Sequence, residues 1–344
     1  MTSGCAFILK RNFEIGCNKC MNKEYILITG ATGFIGSHVA DKFMSDDGYQ
    51  VVAIVRKPAT YKNTDSLKKK GAILIEGDFI DGSLLKHVFD RYPIRYIVHI
   101  AALRGPGAGG SDDFERINVK GTEMLLEAAL ERRVKKFVYC SSVGVFGTIP
   151  RDVPAHLGTQ LYGDNDYHTS KIRAEKTVQE YIVKGLNAFI VRPTITYGSG
   201  DSGFPFTLIK LIRKRMLLLP FRDTKIHLLH ADSLAQVFMQ IVKKEDISGR
   251  IFLIADQTAV SLKSLVDMVH YALYGTQYPS FLRMPDLCFS LLRTLFHLFG
   301  WQKWVLRISL ISQDWYYDIS ATIRELDYRP VDTFAHFTGV LKEH

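Results

Sequence analysis

The chain has 344 residues, of which 47% are hydrophobic, and its formal net charge is +9. This length suits one large α/β domain or a domain with a smaller partner, and the hydrophobic content excludes a largely disordered chain. The positive charge favours anionic partners such as nucleotide phosphates or a membrane surface, but no nucleic-acid-binding motif accompanies the short basic runs, so no nucleic acid is expected.

Residues 1–20 precede the first predicted strand and lack the long apolar core of a signal peptide. We expect them to form a disordered or loosely attached extension. Cys17 and Cys20 form a C-x-x-C pair, but no second pair completes a zinc site, and the five cysteines have no disulfide spacing. The sequence therefore favours a reducing, cytoplasmic location and predicts no metal.

Short apolar runs alternate with amphipathic stretches, such as 112–132 and 166–184, over roughly the first 193 residues. This alternation predicts βαβ units and an α/β fold with a doubly wound parallel sheet, the Rossmann arrangement, covered by helices on both faces. The predicted strands are 25–29, 50–55, 72–75, 95–100, 136–141 and 187–192.

The pattern changes after this point to helices with two short strands, near 226–230 and 250–254. No repeat or low-complexity linker separates the two parts. We predict a dinucleotide-binding Rossmann domain over 21–195. A smaller, mostly helical C-terminal substrate domain over 196–344 is expected to pack onto it, with some segments returning to the sheet.

The segment TGATGFIG, residues 29–36, follows the first predicted strand and opens a helix. Gly30 allows a tight turn, while Gly33 and Gly36 leave room for a pyrophosphate or for the neighbouring strand. The helix N-terminus offers N–H groups and a partial positive charge to phosphates. The segment predicts dinucleotide binding by Gly30, Thr32, Gly33, Phe34, Ile35 and Gly36.

The end of the second strand bears on the choice of cofactor. Val55 stands where an acidic residue would bind the ribose of NAD, and Arg56 and Lys57 follow it. Two cations suit a 2′-phosphate, so the sequence favours NADP over NAD. After the third strand, Asp78 is predicted to accept a hydrogen bond from the adenine amine, with Phe79 against the adenine ring.

The segment YHTSK carries the predicted chemistry. Tyr167 and Lys171 are four residues apart, so they share a helix face, and an ammonium near a phenol lowers its pKa towards neutrality. The segment YCSSVGVFG ends the fifth strand with two serines, Ser141 and Ser142, and a hydroxyl there can polarise a carbonyl beside the tyrosine.

Together these motifs resemble the extended short-chain dehydrogenase/reductase superfamily, also described as the NAD-dependent epimerase/dehydratase family. The resemblance covers about 25–335 and includes VHIAA, INVKGT, VRPTITYG, LLHADSLA and ISATIRELDYRP. It implies that Tyr167 exchanges the substrate proton and Lys171 holds the nicotinamide ribose. It also implies that Ser142 hydrogen-bonds the substrate oxygen, with Ser141 as the second choice for this role.

The same resemblance implies further roles. It places Ala101, Ala102 and Pro193 along the cofactor. It gives Asn118 a structural hydrogen bond in preference to an active-site role. A helix-mediated homodimer is common in the family, and the oligomeric state stays open.

Three departures from the family pattern bear on the substrate. Ile226 occupies the position where nucleotide-sugar enzymes usually carry an arginine, although Lys225 is adjacent, and the loop after Pro193 lacks an asparagine. Val143 and Gly144 follow Ser142, in place of the acid/base pair of dehydratases.

The chain thus resembles most the dihydroflavonol reductase and 3β-hydroxysteroid dehydrogenase branch. The favoured function is an NADP(H)-dependent reductase or dehydrogenase that transfers a hydride between nicotinamide and a secondary alcohol or ketone. The first alternative is a nucleotide-sugar epimerase or dehydratase. The second is a non-catalytic dinucleotide sensor, a class that often lacks the tyrosine and lysine.

The segment 287–311 is apolar but too interrupted by charge to span a membrane. Its polar residues fall near one helical stripe and leave a broad apolar face. Three interpretations are open: packing on the substrate domain or a subunit, a lid over an apolar substrate, and a helix in a membrane surface. The last two fit a lipid-like substrate. The residues of the stripe are Arg293, His297, Gly300, Lys303 and Arg307.

Overall fold

The computed structural model describes residues 23–56, 63–104 and 108–341. The predicted extension 1–20, the Cys17–Cys20 pair and the predicted cofactor residue Lys57 lie outside the described residues.

Thirteen strands are found in the described ranges, and seven of them form one parallel sheet in the order β11-β6-β5-β4-β1-β2-β3. The remaining six form three short pairs. The strands are β1 Glu24–Thr29, β2 Tyr49–Val55, β3 Ile73–Glu76, β4 Ile94–His99, β5 Lys136–Cys140, β6 Ala188–Pro193, β7 Ile195–Tyr197, β8 Leu219–Pro220, β9 Lys225–Ile226, β10 Leu228–His230, β11 Ile251–Ile254, β12 Val260–Ser261 and β13 Arg283–Met284.

Helices cover both faces of this sheet, and α4 runs through a π-helical turn at Glu115–Lys120 into α5. No helix in the described ranges is both long and apolar enough to cross a membrane. The α-helices are α1 Phe34–Met44, α2 Thr64–Lys69, α3 Gly82–Arg91, α4 Ser111–Phe114, α5 Gly121–Glu131, α6 Asp166–Val183, α7 Phe204–Arg213, α8 Ala231–Lys243, α9 Leu262–Tyr274, α10 Asp286–Leu298, α11 Gln302–Ser312, α12 Ser320–Leu326 and α13 Thr333–Leu341.

The prediction of a doubly wound parallel sheet is confirmed. Strand residues alternate between two cores, because successive side chains in a strand point to opposite faces. In β1, Ile26 and Ile28 belong to the core that includes Val39 of α1, whereas Leu27 belongs to the core that includes Val178 of α6. Burial on both faces explains why these strands read as continuous apolar runs.

The strand order places the ligand crevice. From β1 the chain adds β2 and β3 on one side, then crosses over to add β4, β5 and β6 on the other. The carboxyl ends of β1 and β4 therefore border the point where the order reverses, which is where such sheets bind their ligands. The last strand of the sheet, β11, comes from the C-terminal part and pairs with β6.

Candidate active site

The turn after β1 is built on contacts between its own glycines. Gly30 has a φ of 75°, and a Cβ there would lie 2.7 Å from the Ala101 backbone nitrogen. A Cβ on Gly36 would lie 1.9 Å from the Gly30 carbonyl oxygen, so α1 can start here only without a side chain at 36. The sequence interpretation assigned Gly36 to a pyrophosphate or a strand. Its space is taken by the turn itself.

The first turn of α1 fits the phosphates of a dinucleotide. Gly33 precedes the helix, no side chain in the described ranges caps it, and its first turn has no acidic residue. By contrast, Asp81 caps α3 with its carboxylate. The first N–H groups of α1 therefore keep their capacity for an anion, at the carboxyl end of β1.

Alanine substitutions separate the two glycine roles. Gly36→Ala is expected to lower the free energy of unfolding by several kcal/mol, because the new methyl group overlaps the Gly30 carbonyl. Gly33→Ala places its Cβ at 3.3 Å from the same oxygen, so the fold should lose about 1 kcal/mol or less while nucleotide binding weakens. Urea unfolding and nucleotide titration measure the two effects. Equal destabilisation by both substitutions would contradict this division.

The residues that were predicted to contact the adenosine end of the cofactor differ in their exposure. Val55 is buried at the end of β2 and Arg56 after it is exposed. Among the described residues, the Asp78 carboxylate accepts one long contact, of 3.4 Å, from the Ile80 N–H within its own loop. The Phe79 ring is buried against His99, at 5.2 Å between centroids, and a Cβ on Gly121 would touch it. The predicted contact of this ring with adenine therefore does not follow from its position.

A buried hydrogen-bonded chain links the crevice to the helix behind it. The Thr29 hydroxyl accepts from the Ala101 N–H at 3.2 Å and lies 2.6 Å from Nδ1 of His99, whose Nε2 lies 3.0 Å from the Thr122 hydroxyl. Burial lowers the pKa of His99 to about 3, and the charge of Lys171 acts in the same direction. This histidine is thus neutral and holds the ends of β1 and β4 together.

Two other predicted cofactor neighbours border the same edge. Ala102 follows Ala101 in the loop after β4 and is half-buried. Pro193 ends β6 and is buried.

The hydroxyls of Tyr167 and Ser142 meet at the carboxyl end of β5. Ser142 accepts the Gly144 N–H at 3.0 Å and so caps the 3₁₀ turn Val143–Phe146. Burial raises the pKa of Tyr167 to about 12, whereas the charge of Arg104 and the hydrogen bond with Ser142 lower it. A tyrosine and a serine side by side can hold one substrate oxygen between them.

Lys171 lies on α6 with Tyr167, as its spacing predicts, and its ammonium reaches the end of β5. Its ammonium is buried and donates to the Cys140 carbonyl at 2.7 Å and to the Tyr139 hydroxyl at 3.2 Å. Burial lowers the pKa of Lys171 to about 8. The expected lowering of the Tyr167 pKa by Lys171 is not seen in this arrangement.

The second candidate serine points away from the crevice. The Ser141 hydroxyl donates to Glu175 at 2.5 Å, and Glu175 binds Arg192 through two further hydrogen bonds, of 2.9 and 2.6 Å. All three side chains are buried. Of the two neighbouring serines, Ser142 is therefore the one available to a substrate.

Asn118 makes the structural hydrogen bonds that the resemblance implied. Its side chain binds both the N–H and the carbonyl of Leu103, at 2.7 and 2.9 Å, and donates to Ser170 at 2.9 Å. Ser170 in turn donates to the Tyr167 carbonyl. Asn118 thus ties the loop after β4 to the first turn of α6, which carries Tyr167.

The sequence interpretation overlooked an imidazole–carboxylate pair beside these hydroxyls. Nδ1 of His168 lies 2.5 Å from the carboxylate of Asp164, which also accepts the Thr148 N–H. Burial raises the pKa of Asp164, but the hydrogen bonds from His168 and Thr148 outweigh it and hold the pKa at about 2. An ionised carboxylate only accepts hydrogen bonds, so Nδ1 carries the hydrogen and Nε2 is free to accept a proton.

This pair faces the place where dehydratases carry their acid and base. A Cβ on Gly144 would lie 2.5 Å from Nε2 of His168 and 3.2 Å from the Ser142 hydroxyl. The two atoms thus flank one point above Gly144. The sequence offered one signal for the pair of His168 and Asp164: the histidine lies within the Y-H-x-S-K segment, and the aspartate precedes it by four residues.

The sequence profile of the NAD dependent epimerase/dehydratase family matches residues 26–255. The chain belongs to this family. It is therefore an enzyme of the extended short-chain dehydrogenase/reductase type, as predicted. The finer placement in the branch of dihydroflavonol reductases and 3β-hydroxysteroid dehydrogenases is not confirmed by these comparisons.

Two relatives illustrate the match. The chain is 30% identical over 238 residues to a trifunctional UDP-glucose 4,6-dehydratase/UDP-4-keto-6-deoxy-D-glucose 3,5-epimerase/UDP-4-keto-L-rhamnose-reductase of Arabidopsis thaliana. This alignment covers 64% of this chain but only 35% of the Arabidopsis protein. It is 28% identical to a UDP-glucose 4-epimerase of Vibrio cholerae, over 90% of this chain and 91% of the relative.

Solved structures agree on the fold. The UDP-glucuronic acid 4-epimerase of Bacillus cereus, determined in complex with NAD, superposes with a TM-score of 0.73 and 20% identity. The alignment covers 93% of this chain and 99% of that one. At this identity the likeness concerns the fold alone.

Proposed function

We propose that this enzyme uses NAD to run an internal oxidation–reduction cycle on a nucleotide sugar, in the manner of an epimerase or dehydratase. The observation that carries the proposal is a cluster of three groups: the Tyr167 hydroxyl, the Ser142 hydroxyl with which it interacts, and Nε2 of His168, which lies with the Ser142 hydroxyl at Gly144. The first two serve oxidation of an alcohol. The third provides a second site of proton transfer, which a simple ketone reductase does not need.

The residues divide the work as follows. The uncapped N-terminus of α1, together with Gly33, binds the pyrophosphate. NAD, when bound, takes up and returns the hydride of the reacting carbon. Tyr167 would act as the phenolate, which forms once the positive charge of bound NAD lowers the pKa of its hydroxyl. The phenolate then receives the proton of the substrate hydroxyl as the ketone forms, and Ser142 hydrogen-bonds the same oxygen. Lys171 adds positive charge beneath this end of β5.

His168 acts on the neighbouring carbon. A C–H bond next to a ketone is acidic, and Nε2 takes its proton while the electron pair of that bond moves to the carbonyl oxygen. The hydroxyls of Tyr167 and Ser142 stabilise the resulting enolate. Hydroxide then leaves from the next carbon as the electron pair of the enolate forms a C=C bond and the carbonyl is restored. The hydroxide receives the proton from His168, which releases water.

The proposed substrate class rests on the relatives, several of which are named for UDP-sugars or dTDP-sugars. They lend no support to an apolar substrate. One departure remains, because Ile226 is fully buried in β9, and that position cannot bind a diphosphate. The adjacent Lys225 is exposed and is the nearest cation along the chain, so we assign the diphosphate contact to it.

An NADP(H)-dependent reductase is the second candidate. It is favoured by the end of β2, where buried Val55 replaces the expected acid and exposed Arg56 follows. The two functions differ in how they treat the nucleotide. A cycle that regenerates its cofactor can keep it bound, whereas a reductase must exchange it at every turnover.

One experiment tests both the retention of NAD and the second proton transfer. The purified protein is analysed by native mass spectrometry and then incubated with UDP-glucose or dTDP-glucose in D₂O without added nucleotide. We expect bound NAD, product formation, and deuterium on a carbon of the product. An empty protein that turns over only with stoichiometric NADPH would establish the reductase instead.

The His168→Gln variant isolates the second proton transfer, and His87→Gln, at an exposed position of α3, is the matched control. We expect the variant to retain NAD and to lose deuterium incorporation by 10²-fold or more, a typical contribution of a general base. Unchanged incorporation in the variant would remove His168 from the mechanism while leaving the oxidation by Tyr167 intact.

A further inference from the structure

Helices α10 and α11 carry a row of large apolar side chains that nothing in the described structure covers. On α10, Leu287, Leu291 and Leu295 repeat at every fourth residue and so lie along one helix face. Leu287 and Leu298 are 68% and 77% exposed, and Trp301 and Trp304 after the helix are 53% and 50% exposed. We call this surface the apolar crest; it comprises Leu287, Leu291, Leu295, Leu298, Phe299, Trp301 and Trp304.

The crest stands out from the body of the enzyme. In α10 only Phe289 is buried, and α10 packs mainly against α11. The end of α11 anchors the pair, because Ile308 and Leu310 are buried in the C-terminal part. Packing on the substrate domain, the first interpretation of this segment, therefore applies to the end of α11 and not to the leucine row of α10.

The charge around the crest has one sign. Arg293, Lys303 and Arg307 lie between residues 287 and 313, a stretch without any aspartate or glutamate. The flanking acids are engaged elsewhere, since Asp314 pairs with Arg222 at 3.0 Å and Asp286 accepts the Arg222 N–H. The crest is thus apolar and cationic at once.

The neighbouring surface continues this pattern. Strand β13 pairs with β8, which brings the residues around Phe281 alongside those around Phe221, and both rings are largely exposed. Met216, also exposed, precedes β8 and follows the basic run KLIRKR at 210–215. The apolar and basic surface therefore extends beyond the two helices.

We propose that the apolar crest docks this enzyme onto the surface of an anionic lipid bilayer. Tryptophan and leucine side chains would enter the boundary between head groups and acyl chains, and the cations would pair with lipid phosphates. A second copy of the chain is a poorer occupant. A twofold interface brings the same patch against itself, which here opposes cations with cations.

The proposal can be tested with the full-length protein, because two of its three tryptophans lie in the crest and the third, Trp315, is 1% exposed. Vesicles of phosphatidylcholine with phosphatidylglycerol should bind the protein, shift its tryptophan emission to the blue and allow quenching by brominated lipid. Vesicles of phosphatidylcholine alone should bind much less, and added salt should release the protein.

Variants assign the binding to the crest. Leu291→Gln with Leu298→Gln should abolish vesicle binding, and Lys303→Gln should weaken it roughly fivefold, as one cation near an anionic surface contributes. Val183→Gln, at an 88% exposed position on α6, should leave binding unchanged. None of these substitutions touches Tyr167, Ser142 or His168, so turnover should be preserved whatever the substrate.

Two outcomes would overturn the proposal. The first is failure of the wild-type protein to bind anionic vesicles at low salt. The second is a stable dimer that the Leu291→Gln/Leu298→Gln variant dissociates without any change in vesicle binding, which would assign the crest to a second copy.

Discussion

Replacing Glu175 with alanine is expected to lower the free energy of unfolding by about 3–5 kcal/mol, as is typical when one member of a buried ion pair is removed. Glu175 and Arg192 side chains are 1% and 3% exposed, and two hydrogen bonds join them. Without the carboxylate, the guanidinium stays buried and unpaired, and the Ser141 hydroxyl loses its acceptor. Urea denaturation of the purified variant measures the loss.

Two comparisons show whether the buried charge is the cause. The double variant Glu175→Leu/Arg192→Met removes both charges and should be more stable than Glu175→Ala, because no unpaired ion remains. Lys70→Gln breaks an exposed pair with Asp41 and should cost less than about 1 kcal/mol. If Glu175→Ala were no more destabilising than Lys70→Gln, the pair would not stabilise the fold as the geometry indicates.

Replacing Tyr167 with phenylalanine is expected to reduce turnover by about 10²–10⁴-fold, the usual contribution of a positioned acid/base. The ring itself is retained, together with its contact to Phe114 at 6.4 Å between centroids, so the fold should be unaffected. Bound nucleotide, measured by native mass spectrometry, should stay at the wild-type level, because the phosphate site that we propose lies on α1 and not at Tyr167.

The control for this loss is Tyr271→Phe, which removes an exposed hydroxyl from α9 and should leave turnover unchanged. Substantial activity in Tyr167→Phe would exclude this tyrosine as the acid/base and return the mechanism to His168 or another group. Loss of nucleotide together with activity would instead indicate a structural role.

The local pattern of the chain was enough to predict the scaffold. Runs such as YILIT and FVYC are mostly apolar because their strands are buried on both faces, and the six strands predicted before residue 193 match the observed ones within two residues. Beyond residue 193 the prediction of two short strands was wrong, because the described structure has seven there and the run 226–230 contains two of them, β9 and β10. The turn after β1 was also predictable. Only glycine at positions 30 and 36 allows the backbone segments of this turn to approach so closely, so the glycines themselves indicate the turn.

Side-chain direction was not predictable in the same way. Phe79 and Ser141 stand in the expected places after their strands, yet both turn into the interior, because the register of the surrounding packing decides which face each residue takes. His168 was overlooked for a related reason. Its partner Asp164 is only four residues away, but its neighbour Gly144 comes from a separate segment, and no local pattern connects His168 with Gly144.

The sequence by itself determined the family, the parallel sheet, the glycine turn and the Tyr167–Lys171 pair, because each depends on residues that are neighbours along the chain or on one helix face. Only the tertiary structure decided which serine faces the crevice, where the ammonium of Lys171 lies, and that His168 meets Ser142 above Gly144. It also decided that the leucine row of α10 faces outward. These are contacts between distant segments, and their distances follow from how the layers pack.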